Sequence, residues 1–127
     1  MMDAKLKTDW VKALRSGEYR QGQSNLHDPA TDSYCCLGVL CRVVGAEFGE
    51  ATEGDFITTH DHVPVLNDRI ISNGDAEELS EAFCKEVGIS DQGGLIVLND
   101  GIGMPGTEKY KPSHSFAQIA DYIEQNL

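Results

Sequence analysis

Residues Tyr34-Cys35-Cys36-Leu37-Gly38-Val39-Leu40-Cys41-Arg42-Val43-Val44, closed by Gly45, form the one stretch of this chain with no polar face. At helical spacing Leu37, Leu40, Cys41 and Val44 fall on one stripe and Cys36, Val39 and Val43 on another, which predicts a helix buried on nearly all sides. Everything else must pack around it. Gly38 predicts a close contact with a neighbour, and Asp32 or Ser33 a cap for the first turn. A chain of 127 residues buries about two-thirds of its unfolded surface, so residues 1–127 are read as a single globular domain. The expected class is α+β: about four helices around the central buried helix, residues 34–44, with a small two- or three-stranded sheet.

On the N-terminal side, Asp3 or Thr8 can cap a helix running to Ser16, with Leu6, Trp10, Ala13 and Leu14 on one face and Gly17 at its end. Residues 18–33 mix Gly, Gln, Asn, Pro and Asp, which predicts an irregular connection or a short strand pair turning near Asp28-Pro29. Beyond Gly45, the segment Phe56–His60 has strand propensity. Asp75 followed by Glu78 resembles a capping box, and Leu79, Phe83 and Val87 space a helix that Gly88 closes. Ser115 with Gln118 is a second box, opening a helix with Phe116, Ile119, Ala120, Ile123 and Leu127 inward. Val65-Leu66-Asn67-Asp68 recurs as Val97-Leu98-Asn99-Asp100. The runs 63–70 and 95–102 are therefore candidate paired strands, the second being alternatively a short helix capped at Ser90 against which Gly93-Gly94 argues.

Three stretches taken together are distinctive: Trp10-x-x-Ala13-Leu14-x-Ser16-Gly17-x-Tyr19-x-Gln21, then Tyr34 to Cys41, then Leu98-Asn99-Asp100 leading to Ser115-Phe116-Ala117-Gln118-Ile119-Ala120-Asp121-Tyr122-Ile123-Glu124. As a set they resemble a family of small uncharacterised proteins of phages and bacterial genomes. The resemblance touches both ends and the centre of the chain. It implies no activity and carries over no functional residue. The loop between Asn99-Asp100 and Phe116 looks longer than in such proteins.

Charge is the main functional clue. Of the 21 acidic residues, thirteen lie between residues 46 and 100, against only Arg69 and Lys85, so this segment carries the whole net charge of −11. Such a field repels nucleic acid and anionic membranes and draws in a basic partner. Glu47, Glu50, Glu53, Asp55, Glu77, Glu78 and Glu81 are the candidate protein-binding residues. No run reaches membrane-spanning length and no signal peptide is recognisable, so a cytoplasmic protein is expected, in a bacterial host if phage-encoded.

Other chemistries find fewer residues. Cys35, Cys36 and Cys41 lie in the apolar run and Cys84 in a helix, the pattern of reduced structural thiols. His60 and His62, two apart on a strand, would share a face and are a weak candidate metal pair, with Asp68, Asp100 or His114 as a third ligand. Lys109, Tyr110, Lys111 and His114 give the loop 101–114 local positive charge and make it a candidate anion site beside the last helix. Glycine-rich phosphate motifs are absent. The sequence thus points to a non-enzymatic, cofactor-free acidic protein that covers a basic protein surface. A phage-type accessory or host-modulating factor is the role expected. A nucleotide- or anion-sequestering protein and a metal-dependent hydrolase using His60 and His62 are the alternatives. Catalytic residues and oligomeric state are not assigned.

Overall fold

The computed structural model describes residues 2–23, 25–52, 59–67, 69–72, 77–102, 106, 108 and 112–127, and of residues 50–52 and 59–62 the backbone alone. Asp3, rather than Thr8, starts the first helix, α1 (Ala4–Arg15), its carboxylate accepting the Leu6 N–H at 3.0 Å. Trp10, Val11 and Leu14 are its buried face. Gly17, at φ +77°, takes the left-handed turn that ends it. The polar connection that follows forms three short strands: β1 (Arg20–Gln21), β2 (His27–Asp28) and β3 (Ser33–Tyr34). Strand β3 lies in the middle, parallel to β1 and antiparallel to β2.

The central helix, α2, spans Cys36–Val43 and buries every residue from Cys36 to Cys41. It starts later than the pattern predicts, because Tyr34 pairs in β3 and Cys35 is the cap residue. Neither Asp32 nor Ser33 caps it: Asp32 sits at φ +50° against His27, and Cys35 offers no side-chain bond to the first turn. Gly38 makes the close contact its position implies, since a Cβ there would run into the Leu26 carbonyl. The His27 ring stacks on Tyr34, centroids 4.3 Å apart, and meets Phe48 at 5.1 Å, joining this sheet to the next.

A second sheet of order β4-β5-β6, antiparallel throughout, is built from β4 (Glu47–Thr52), β5 (Thr59–Leu66) and β6 (Arg69–Ile70). The strand expected at Phe56–His60 falls mostly outside the described residues; β5 begins at Thr59. Asn67, at φ +52°, turns the chain between β5 and β6, a conformation that Asn tolerates better than most residues.

Helix α3 (Glu81–Val87) starts at Ser80, whose hydroxyl accepts the Phe83 N–H, and not at Asp75, which lies outside the described residues. Gly88 closes it in the left-handed conformation, as the sequence implies. The expected pairing of 63–70 with 95–102 is not formed. Residues 92–100 are helix α4 (Gln92–Asp100), capped at Asp91 rather than Ser90, with the Asp91 carboxylate accepting the Gly94 N–H at 3.0 Å. A Cβ at Gly94 would crowd that carboxylate, so the residue weighing against a helix is the one that gives the cap its room. The last helix, α5 (Phe116–Asn126), carries the full Ser115/Gln118 capping box. Among the described residues there are thus four helices around the central one, as the sequence implies, and two three-stranded sheets instead of one. Trp10, Leu37, Leu40, Ile71, Leu79, Leu95, Ile119 and Ile123 form the fully buried centre.

Candidate functional site: a buried amide node and an acidic groove

Helix α2 begins deep in the core, where its first N–H groups have no water to bond. Asn99 of α4, fully buried, supplies the missing acceptor: its Oδ1 takes the Cys36 N–H at 3.2 Å and the Gln21 Nε2–H at 3.2 Å. Its Nδ2 donates to the Gly22 carbonyl and to Asp100 Oδ1, both at 2.8 Å. Gln21 extends the node, donating to the His114 carbonyl at 2.6 Å and accepting the Phe116 N–H at 3.1 Å. From the other side, Trp10 Nε1 donates to the Cys36 carbonyl at 2.9 Å. One amide node therefore ties α1, β1, α2, α4 and α5 together. Every polar atom of the Asn99 side chain is engaged in it, which is the signature of a structural group.

A different kind of place lies on the outer side of α3. A groove of about 850 Å³ runs between α3, the Gly88–Gln92 connection and the end of α5. Leu79, Cys84 and Ile89, all buried, form its floor, while Glu78 and Glu81 stand on it as the acidic side chains. Lys85 is the cation among its lining residues and lies 3.9 Å from Glu81. Arg69, the other base of the acidic segment, grips both oxygens of Glu86 at 2.7 and 2.8 Å, and its guanidinium holds that carboxyl below the usual range. Both positive charges of residues 46–100 are therefore answered by acids of the same segment. A groove of about 680 Å³ between α1 and α5 has the opposite character, with Lys7, Lys12 and Arg15 on it. Its cations are largely spent within the fold: Arg15 binds Asp121 and Glu124, and Lys7 donates to the Glu124 carbonyl at 3.0 Å.

Of the residues singled out in the sequence, Glu78 and Glu81 line the groove beside α3, and Glu77, next to Glu78 in the chain, is exposed. Glu47 is exposed on β4, two strands away from β6 in the second sheet. The side chain of Glu50, together with Glu53, Asp55, Lys109, Tyr110 and Lys111, lies outside the described residues. His60 and His62 are on β5, His60 in register with Ala51, with their side chains likewise undescribed. His114 is half-buried. Its N–H donates to the Leu98 carbonyl at 2.6 Å, and its Nδ1 is buried with no hydrogen-bond partner among the described residues. Among the described residues no group of three or more His, Cys, Asp or Glu is placed to hold a metal ion.

The four cysteines are free thiols and all are buried. Burial pushes Cys35 up to about 11 and Cys36 and Cys41 well above their ordinary value. The backbone N–H groups of Gly38 and Leu37 pull the other way and are outweighed. Cys84, at the groove floor, is raised first by burial and then by Glu78 and Glu81.

Residues 2–127 match a family described as a domain of unknown function, DUF8296. The chain belongs to that family. No curated protein and no solved structure matches it. In this DUF8296 domain the distinctive stretches of the sequence converge in space, for Trp10, Gln21, Cys36, Asn99 and Phe116 all bond at the one node. Sequence reasoning places Asn99 in a motif and misses its role. The available signal is its spacing, four residues after Leu95 on the buried face of α4. The second overlooked residue is Gln92, which faces the groove. Its side-chain amide takes the Leu79 N–H at 2.9 Å and donates to the Leu79 carbonyl at 2.8 Å. Nothing in the local sequence marks it.

Proposed function

We propose that this is a non-enzymatic binding protein whose acidic groove beside α3 seats a basic surface of a partner protein. The observation carrying this reading is the juxtaposition of Glu78 and Glu81 with an apolar floor of Leu79, Cys84 and Ile89. Apolar contact supplies affinity once a partner is in place, and the negative field speeds its arrival and selects its sign. The thiols do not favour nucleophilic catalysis, because burial holds them protonated. The likeness of the three motifs to small phage proteins supports a host-modulating role in the bacterial cytoplasm, the partner being a host protein that otherwise holds nucleic acid. Among the described residues no helix is long and apolar enough to cross a membrane.

The test is the binding of a lysine-rich polypeptide, followed by fluorescence anisotropy across a salt series, to the native chain and to a variant with Glu77, Glu78 and Glu81 changed to Gln. Salt screens exposed charges beyond about 8 Å at physiological ionic strength, so affinity should fall with salt and fall again in the variant. Affinity that neither treatment weakens removes the proposal.

A further inference from the structure

Leu79 marks a short strand edge. It forms an antiparallel bridge with Ser72, and the next N–H, that of Ser80, donates to the Ile71 carbonyl at 2.9 Å. In an antiparallel pair successive residues aim their backbone groups to opposite sides, so the N–H and C=O of Leu79 face away from Ser72, into the groove. There both are met by the carboxamide of Gln92, which accepts from the N–H at 2.9 Å and donates to the C=O at 2.8 Å. A carboxamide offers the same donor and acceptor as a peptide group. Gln92 thus occupies the place that the backbone of an added strand would take.

We infer that the basic segment seated in the groove lies extended and adds as a strand to the Leu79 edge, displacing the Gln92 side chain. This inference rests on the proposed binding function and specifies the form of its occupant. The exchange replaces one amide by another, so Leu79 stays satisfied in both states, and the released carboxamide is rehydrated. In the absence of a partner, Gln92 keeps the edge from offering itself to other chains. An extended segment also suits the groove's two-sided chemistry. With side chains alternating in direction, apolar residues face Leu79, Cys84 and Ile89, while every second residue reaches towards Glu78 and Glu81. The preferred occupant is a peptide in which basic and β-branched apolar residues alternate.

The deciding experiment titrates the full chain with a short peptide of alternating Lys and Val. It also uses two isomers of that peptide, N-methylated on alternate residues of one edge or of the other. Affinity is read by anisotropy and the Gln92 side-chain amide by NMR. The expected result is that the parent peptide binds and moves the Gln92 amide resonances to solvent-exposed positions. Methylation of one edge should weaken binding by about tenfold or more, the scale of a lost and sterically blocked backbone bond, while methylation of the other leaves it unchanged. Equal affinity for all three peptides, or a Gln92 amide that stays in place, overturns strand addition and leaves the basic-segment reading standing. Failure of all three to bind overturns both.

Discussion

The amide node and the acidic groove are the two places where this molecule concentrates polar chemistry, and they are organised in opposite ways. At Asn99 every polar atom is buried and engaged, with backbone groups and an amide from distant parts of the chain and with the carboxylate of neighbouring Asp100. In the groove the polar groups stand on exposed or half-buried residues around an apolar floor, and one backbone edge is covered by the Gln92 side chain. The residues that make the sequence distinctive belong to the node. Those that give the surface its character belong to the groove. The recognisable motifs therefore report how this chain folds, and the proposed binding function rests on residues that no motif contains.

Substitutions in the two places should separate along this line. Changing Asn99 to Leu keeps the size of the side chain, takes the side-chain partner from the Cys36 N–H and the Gly22 carbonyl, and removes one of the bonds of the Gln21 amide. At about 1–3 kcal/mol for each orphaned group, the expected loss is about 4 kcal/mol in chemical denaturation, a large share of a typical domain's stability. A loss below about 1 kcal/mol would mean that the node is not a structural centre. Gly38→Ala sets a methyl against the Leu26 carbonyl and should cost about 2 kcal/mol, the helix propensity of Ala notwithstanding. Trp10→Phe keeps most of the ring and removes the bond to the Cys36 carbonyl, for about 1–2 kcal/mol.

At the groove the pattern reverses. Changing Glu77, Glu78 and Glu81 to Gln should leave stability within about 0.5 kcal/mol and weaken binding of a basic peptide by about tenfold at low salt. Alkylation followed by mass spectrometry gives a further contrast: Cys84, on the groove floor, should react before Cys35, Cys36 and Cys41 in native protein near neutral pH. Bound peptide should slow it. The smallest effect is on acid stability. Glu86 and Glu124 are held below the ordinary carboxyl value of about 4.3 by hydrogen bonds from Arg69 and Arg15. Their contribution is therefore complete above that value and lost as pH falls through the lowered one. Arg69→Gln should make the fall in Tm between neutral and acidic pH slightly shallower; an unchanged profile would show that this exposed pair does not contribute.

Legibility in the sequence followed the range of the interactions. Helices α1 and α5 could be read almost to the residue, because Asp3 and the Ser115/Gln118 box place caps next to clear apolar stripes. The tetrapeptide Val-Leu-Asn-Asp shows the limit. Its first copy runs through Val65 and Leu66 out of a strand into a turn at Asn67, which is left-handed, and at 97–100 it ends a helix, with Asn99 in the core. Identical local propensities are resolved by what lies opposite: β6 in one case, the bare first turn of α2 in the other. The start of α2 is hidden from the local sequence for the same reason: Tyr34 is drawn into β3, and the acceptor for the Cys36 N–H comes from a residue 63 positions away. In the groove, the acidic character of Glu78 and Glu81 is readable from charge counting, whereas the role of Gln92 is not. A single glutamine bonding a backbone 13 residues distant leaves no periodic trace.

The contact between Gly38 and the Leu26 carbonyl has a consequence for how the molecule opens. With no side chain between them, the strip of chain at Leu26 and the first turns of α2 are in direct apposition, and the Leu26 carbonyl also accepts the Cys35 N–H at 3.2 Å. Lifting that strip exposes the greasiest rod of the protein at the same moment. A protease able to cut beside the exposed Gln23 and Asn25 would then be timing the breathing of the interior, and amide hydrogen exchange at Cys35 should keep the same clock.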